Sequence, residues 1–213
     1  MEKRLLLTRS RHDIANQYLY AYSEEIIAEA DSLGWKTDRV ENEKNQRKEV
    51  ESRLTKSAYD FVFFNGHGTD ESVSGHGDEK LVDAGSASIL KDKIVFARSC
   101  SALNTLGKEA VKKGCKAFIG YNGLFFISYT NEYQSTPLKD PTARPVMEVS
   151  NLAGKLILKG DTVQTAVEAA QRKAGDLILK MLASKEPYDA GTFRALYQNY
   201  MTFSFTGDGQ AKA

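Results

Sequence analysis

The sequence predicts an α/β fold, with a mostly parallel sheet covered by helices on both faces. Short, continuously apolar segments that suit strands buried on both sides alternate with longer segments whose apolar residues recur at helical spacing. The chain has 213 residues, of which 41% are hydrophobic and 27% are charged, and this is enough for one substantial core. No linker, internal repeat or low-complexity tract divides it. We therefore predict one domain over residues 1–213.

The amino-terminal half supplies most of the expected strands. The predicted strands cover residues 4–7, 36–40, 61–65, 94–98 and 117–121. Asp13 lies where a helix N-cap is expected, apolar residues follow it at helical spacing, and Gly34 ends that helix. Further helices are predicted over 42–56 and 103–113. Residues 66–90 are rich in Gly, Ser and Asp, which predicts a long surface loop.

The carboxyl-terminal half continues the alternation more loosely. Three prolines predict an irregular stretch over residues 137–145, and a helix follows over 146–158. Asp161 is the predicted cap of a longer helix, whose apolar face runs from residue 163 to residue 181. Residues 201–205 predict a closing strand.

Charge and composition exclude several classes of partner. The 29 Lys and Arg residues balance 28 Asp and Glu residues, and no basic stripe interleaves with aromatics, so neither nucleic acid nor a membrane surface is an expected partner. The apolar run near the amino terminus is too short for a signal peptide, and no run reaches transmembrane length. Cys100 and Cys115 are therefore expected to be reduced thiols in a cytoplasmic protein.

Two strand ends carry the residues that suggest chemistry. One apolar strand leads into His67-Gly68, and another, 33 residues past that histidine, leads into Cys100. The carboxyl ends of neighbouring parallel strands meet at one edge of a sheet, where ligands bind. A thiol beside an imidazole is the minimum for nucleophilic thiol catalysis, with Cys100 as nucleophile and His67 as general base. The backbone amides of Gly68 and Cys100 can form an oxyanion hole.

Simpler interpretations of the same residues stay open. A buried cysteine is usually a small hydrophobic residue, and a histidine in a glycine loop is usually a surface residue. His76, in a second Gly-His-Gly, is interpreted as structural or at most substrate-facing, and His12 as a solvated loop residue. A metal site built from His67, His76 and Cys100 fits no zinc spacing, so we predict no metal and no cofactor.

At these motifs the chain resembles the caspase-like cysteine peptidases of clan CD, closest to the gingipain-like and CHAT-domain branch. A hydrophobic strand ending in His-Gly, then one ending in a small residue and Cys, is the signature of that group. The acidic loop over residues 67–75 and the small residues after Cys100 are similar to those of the family. So are the helix start at 160–167 and Gly207-Asp208, although Gly209 replaces the family's proline.

The resemblance implies a caspase-hemoglobinase fold and a cysteine endopeptidase that works through an acyl-enzyme. It gives His67 and Cys100 the dyad roles and Gly68 an oxyanion role. It also implies a protein or peptide substrate and a regulatory or activating protein partner. The chain departs from the family just before the nucleophile, where Arg98-Ser99 replaces Gln-Ala or Ser-Ala. Because Arg98 projects to the side of Cys100, it can influence the thiol or simply stack on a helix.

Two other classes and the choice of substrate stay open. A catalytically inactive caspase-like interaction module would keep the fold, but such modules typically lose one dyad residue. An ordinary nucleotide-binding α/β domain predicts a glycine-rich turn after the first strand, and residues 8–12 contain no glycine. At the P1 position, Arg9 and Arg11 would favour an acidic residue, whereas Asp70 and Glu71 would favour Arg or Lys. We expect a basic P1 residue, with Asp70 as its contact.

Overall fold

The computed structural model describes residues 2–213, which form one large and one small β-sheet. The strands of this part of the chain are β1 (Arg4–Arg9), β2 (Lys36–Glu41), β3 (Phe61–Asn65), β4 (Gly68–Thr69), β5 (Ser72–Ser74), β6 (Lys80–Asp83), β7 (Ile94–Arg98), β8 (Ala117–Tyr121) and β9 (Phe203–Gly207). The large sheet has the order β2-β1-β3-β7-β8-β9, and the small sheet has the order β4-β5-β6. All neighbours in the large sheet are parallel except β8 and β9, which are antiparallel.

Helices cover both faces of the large sheet. They are α1 (Ile14–Ser32), α2 (Arg47–Lys56), α3 (Lys108–Lys112), α4 (Ala143–Lys159), α5 (Val163–Ala183) and α6 (Ala190–Thr202), and a π-helical segment, Leu103–Gly107, leads into α3. One core layer lies between the sheet and helices α1, α4 and α5. The opposite layer lies under α2, α3 and the small sheet. The predicted α/β class with a mostly parallel sheet is therefore confirmed.

Several predicted boundaries are confirmed because their signals are local. Asp13 caps α1 by accepting a hydrogen bond from the Asn16 amide at 2.8 Å. Gly34 follows that helix with a φ of 74°, in the left-handed region that favours glycine. No helix within residues 2–213 is both long enough and apolar enough to cross a membrane.

The prediction of a long surface loop over residues 66–90 is wrong. This segment forms the small antiparallel sheet, and Val73, Leu81 and Val82 from it are buried. Its strands have two to four residues, so isolated apolar residues between polar ones gave no strand period.

In the carboxyl-terminal half one predicted helix cap is wrong and one helix is missed. The cap of α5 is Thr162, whose hydroxyl accepts a hydrogen bond from the Thr165 amide at 3.2 Å, and not Asp161. Helix α6 was not predicted, because polar residues make up much of the face that it buries. Those polar residues are Thr192, Asn199 and Thr202.

A fully buried arginine connects the strands to the helices above them. Arg98, at the end of β7, donates to Asn65 Oδ1 at 2.8 Å, to Asn151 Oδ1 at 2.7 Å and to the Leu19 carbonyl at 3.2 Å. Asn65 in turn donates to the Thr8 carbonyl at 2.9 Å. Burial lowers the pKa of Arg98 to about 10, so the side chain is still charged at neutral pH. One guanidinium thus joins β7, β3, α1 and α4.

We expect Arg98→Met to destabilise the fold by about 3 kcal/mol, because the substitution removes the donor to the buried side-chain oxygens of Asn65 and Asn151 and a hydrogen bond to the Leu19 carbonyl. Urea unfolding followed by circular dichroism measures this loss. Arg39→Met is the matched control, since Arg39 is 41% exposed and only 3.3 Å from Asp31 in a surface ion pair. The control should change the unfolding free energy by less than about 0.5 kcal/mol. A loss of under about 1 kcal/mol for Arg98→Met would contradict the structural role.

Candidate active site

His67 and Cys100 lie at the same edge and on the same face of the large sheet. Strands β3 and β7 are parallel neighbours, with Asn65 paired to Arg98, and His67 and Cys100 each follow two residues later. Asn65 and Arg98 meet on the face that packs under α1 and α4. The sulfur of Cys100 packs against the same core layer, and His67 contacts the start of α1. Neighbouring strands thus bring the two predicted residues to one edge.

Gly68 allows the two strand ends to approach closely. A Cβ atom at this position would lie 2.5 Å from the Cys100 carbonyl oxygen and 2.8 Å from Ser99 Cβ. Any side chain would therefore push the loop after His67 away from the cysteine. Gly68, the predicted oxyanion donor, is therefore required for steric reasons as well, because its backbone lies directly against that of Cys100.

The imidazole of His67 is held by a carboxylate from the neighbouring strand end. Its Nε2 lies 2.7 Å from Asp13 Oδ2, while Asp13 Oδ1 accepts the Asn16 amide at 2.8 Å. Partial burial acts to raise the pKa of Asp13, but the hydrogen bonds from Asn16 and His67 outweigh it and the pKa lies below its ordinary value. Because Nε2 is engaged, Nδ1 is the nitrogen that can serve the thiol.

Cys100 is partly exposed and lies in an irregular turn. The Phe125 amide donates to its sulfur at 3.4 Å, and the Phe125 carbonyl oxygen lies 3.8 Å from the same sulfur. Ser101, the next residue, has a φ of 56°, and the π-helical segment begins two residues later. Strained backbone and π-helical turns are both enriched at functional sites.

Two more polar side chains, His12 and Asp78, lie beside His67, and a third, His76, lies against His12. His12 is only 14% exposed, so its interpretation as a solvated loop residue is wrong. Its Nε2 lies 3.3 Å from Asp13 Oδ2 and 3.5 Å from Asp78 Oδ1. His76 packs edge-on against His12, with ring centroids 5.3 Å apart. The fold of residues 76–78, which the loop prediction missed, brings this group together.

The charged residues that could line a P1 pocket fall into two groups, arginines that contact other side chains of the protein and carboxylates that are exposed. Arg9 is 2% exposed, forms an ion pair with Glu24 at 2.8 Å and donates to Glu41, so it is not free to meet a substrate. Arg11 stacks on the Tyr20 ring at 3.8 Å.

Asp70 is exposed and attached to the turn after the cysteine. Its carboxylate accepts from Asn104 Nδ2 at 3.0 Å, and its carbonyl accepts from the Thr105 and Leu106 amides. Its neighbour Glu71 is also exposed, and its side chain has no hydrogen bond within residues 2–213. Asp70 is thus held against the turn that follows the candidate nucleophile, and Glu71 is not.

Solved structures share this fold, although no protein-family model and no curated protein sequence matches the chain. The Arg-specific cysteine proteinase gingipain R (RgpB) aligns with a TM-score of 0.63 at 12% identity, over 97% of this chain and 46% of that one. The complex of the Porphyromonas gingivalis RgpB pro- and mature domains aligns with a TM-score of 0.60 at 11% identity, over 97% and 47%. A structure described as a protease aligns with a TM-score of 0.53 at 12% identity, over 99% and 48%.

These alignments bear on the fold alone, because the identities are very low. They support a caspase-like fold shared with gingipain, and they do not single out the CHAT branch. The chain spans less than half the length of the solved chains that it matches. The chain therefore has the fold of caspase-like cysteine proteinases.

We expect iodoacetamide to label Cys100 well before Cys115. Burial raises the pKa of Cys115 to about 12, and its thiol donates to the Lys93 carbonyl at 3.2 Å, so only about one molecule in ten thousand is a thiolate at pH 8. Mass spectrometry of timed samples measures both sites. Unfolded protein, in which both thiols react, is the control. Equal rates in the folded protein would contradict the assignment of Cys100 as the accessible thiol.

Proposed function

We propose that the protein is a cysteine endopeptidase with Cys100 as nucleophile and His67 as base. The observation that carries the proposal is the meeting of two neighbouring strand ends. One holds an imidazole against a carboxylate, and the other presents a partly exposed thiol to a backbone amide. The gingipain-like fold supports the same reaction class. The resemblance to CHAT domains rests on sequence motifs only, and the cytoplasmic location stays a prediction.

The proposed reaction follows from which of these groups can accept and donate a proton. Nδ1 of His67 takes the thiol proton, and the sulfur of Cys100 attacks the carbonyl carbon of the scissile peptide bond. The amides of Gly68 and Cys100 would donate to the oxyanion. The carbon–nitrogen bond breaks as Nδ1 returns the proton to the leaving amine, which leaves a thioester. Water then gives a proton to Nδ1 and attacks the thioester carbonyl, and the released sulfur regains a proton.

Asp13 completes this arrangement as a positioning residue. A carboxylate on Nε2 keeps a proton on that nitrogen, so that Nδ1 keeps the lone pair that accepts the thiol proton. It also stabilises the imidazolium that forms after the transfer. The sequence predicts Asp13 as a helix cap, and capping by the backbone amide uses its Oδ1, while its Oδ2 contacts both His67 Nε2 and Asn16 Nδ2.

A basic P1 residue is the proposed specificity, with Asp70 as its contact. Asp70 is exposed, negatively charged and fixed by Asn104 to the turn that follows the nucleophile. Arg9 is buried and paired with Glu24 and Glu41, which removes one of the two cations that would have favoured an acidic P1 residue. A solved relative in fold is described as Arg-specific, which agrees with this choice.

Regulation by a protein partner is part of the same proposal. One structure with this fold is a complex of a proteinase with its pro-domain, so a protein surface can cover this architecture. The balanced charge of the chain offers no comparable argument for nucleic acid or a membrane surface. A regulatory protein would act on the sheet edge that carries Cys100. A natural substrate would be a protein with a basic residue at the cleavage site.

Substitutions at the site should separate chemistry from folding. Cys100→Ala should abolish peptide hydrolysis, and His67→Ala should lower kcat by about 100-fold or more, both with unchanged urea unfolding. Asp13→Asn should lower kcat by about 10-fold or more with little change in KM, because asparagine still caps α1 but loses the charge beside His67. Asp189→Asn is the matched control, since Asp189 caps α6 far from these residues in the chain.

Full activity of Cys100→Ala would overturn the proposed mechanism. Absence of hydrolysis in the wild-type protein, on peptides with basic and acidic P1 residues, would favour the inactive interaction module instead.

The P1 assignment predicts a selective loss of activity. Asp70→Asn should lower kcat/KM for Arg and Lys substrates by about 10-fold or more, because a charge-assisted hydrogen bond to the substrate is lost. Glu71→Gln is the control, an adjacent exposed carboxylate without the tie to Asn104, and it should keep nearly full activity. Fluorogenic peptides that differ only at P1 give the measurement. Turnover after Asp with none after Arg or Lys would contradict the assignment.

A further inference from the structure

Four side chains around His67 place nitrogen and oxygen donors in one small volume. They are His12, Asp13, His67 and Asp78, and one donor atom from each lies within 4.8 Å of the other three. The distances are 2.7 Å from His67 Nε2 to Asp13 Oδ2, and 3.3 Å from that oxygen to His12 Nε2. Asp78 Oδ1 lies 3.5 Å from His12 Nε2 and 4.0 Å from His67 Nε2.

These distances suit a tetrahedral ion. Bonds of about 2.0–2.1 Å to zinc place neighbouring tetrahedral ligands about 3.3 Å apart. The four separations above scatter around that value, so small side-chain rotations would complete the geometry. Two carboxylates neutralise a divalent cation, and two imidazoles favour zinc over calcium or magnesium, which prefer oxygen ligands.

The donors are oriented by partners outside the cluster. Ser10 Oγ lies 2.9 Å from His12 Nδ1, so the opposite nitrogen, Nε2, is the one directed at the carboxylates. The Asn16 backbone amide donates to Asp13 Oδ1 at 2.8 Å, and the Asn16 side chain donates through Nδ2 to Asp13 Oδ2, also at 2.8 Å. A carboxylate oxygen has two lone-pair sites, so Oδ2 keeps one for the cluster. Hydrogen bonds from outside the cluster commonly orient the histidines and carboxylates that bind metals.

Contacts outside the four-residue cluster hold the turn that carries Asp78 in place. The His76 amide donates to the Asn45 carbonyl at 2.9 Å, and a Cβ atom on Gly75 would lie 2.2 Å from that same oxygen. Among residues 2–213, His76 Nδ1 is buried without a hydrogen-bond partner, and its ring lies against His12. An unsatisfied buried nitrogen beside the cluster is unusual for a group that has only a structural role.

We propose that His12, Asp13, His67 and Asp78 bind one zinc ion and that this ion inhibits the peptidase. The second half rests on the proposed function, and the binding itself does not. A neutral imidazole bound to metal through Nε2 carries its proton on Nδ1, so His67 can no longer accept the thiol proton. Asp13 is taken from its positioning role at the same time. Four protein ligands leave no open position for a metal-bound water, which points to inhibition and not to metal catalysis.

The binding test uses Cys100→Ala protein, so that the thiol cannot act as a ligand. Calorimetric titration with Zn²⁺ should show one site, and Co²⁺ should give the visible absorption of a tetrahedral complex. Asp78→Asn in the same background should weaken Zn²⁺ binding by about 10-fold or more. Asp92→Asn is the matched control, because Asp92 is also exposed and also has a positive φ, 63° against 62° for Asp78.

Absence of a stoichiometric site, or equal Zn²⁺ affinity in the Asp78→Asn and Asp92→Asn proteins, would overturn the metal site. Either result is independent of whether the protein cleaves peptides.

The inhibition test uses wild-type Cys100 and a fluorogenic peptide. Zn²⁺ should suppress hydrolysis in the wild-type and Asp92→Asn proteins. Asp78→Asn should show the same rate in chelator and need about 10-fold more Zn²⁺ for half inhibition. Binding without inhibition, or equal inhibition of both variants, would overturn the regulatory role. Failure to hydrolyse any peptide in chelator would count against the peptidase and leave the binding result standing.

Discussion

The buried guanidinium of Arg98 is the constraint on which the rest of the site depends. It is fully buried, and its three hydrogen-bond partners, on β3, α1 and α4, are all uncharged. A charge in such a place is tolerated only while each of those oxygens stays in position, because losing a partner exposes the full cost of desolvation. Arg98 therefore fixes the register of the strand ends that carry His67 and Cys100. It also places a buried positive charge two residues before the thiol, on the same face.

Asp13 shows why one residue can serve folding and chemistry together. A carboxylate has two oxygens, and an N-cap needs only one of them. The other is directed along the sheet edge to His67. The strand order makes this possible, since β1 is a direct neighbour of β3 and both end at the same edge. A cap at the start of α1 is thereby brought next to a side chain more than fifty residues away in the chain.

The parts of the fold that the sequence could predict are those with continuous local signals. Strands β3 and β7 are apolar runs that each end in one polar residue, β8 has the sequence AFIGY, and the boundaries of all three agree with the prediction at both ends. The small sheet gave no such signal, because its strands are short and Val73 stands alone between serines. His67 and Cys100 were recognisable as strand-end residues. The partnership of His12 and Asp78 with His67 was not, because it depends on a turn whose position is set by distant contacts.

The two proposed states of His67 compete for one nitrogen. In the peptidase, Nε2 donates to Asp13, and in the metal-bound form the same nitrogen and the same carboxylate are zinc ligands. The exchange breaks one hydrogen bond, worth about 1 kcal/mol net, and replaces it with coordinate bonds that are individually far stronger. No backbone rearrangement is needed, because the four donors already lie within reach of one another. Metal availability, and not a conformational barrier, would then decide which state is populated.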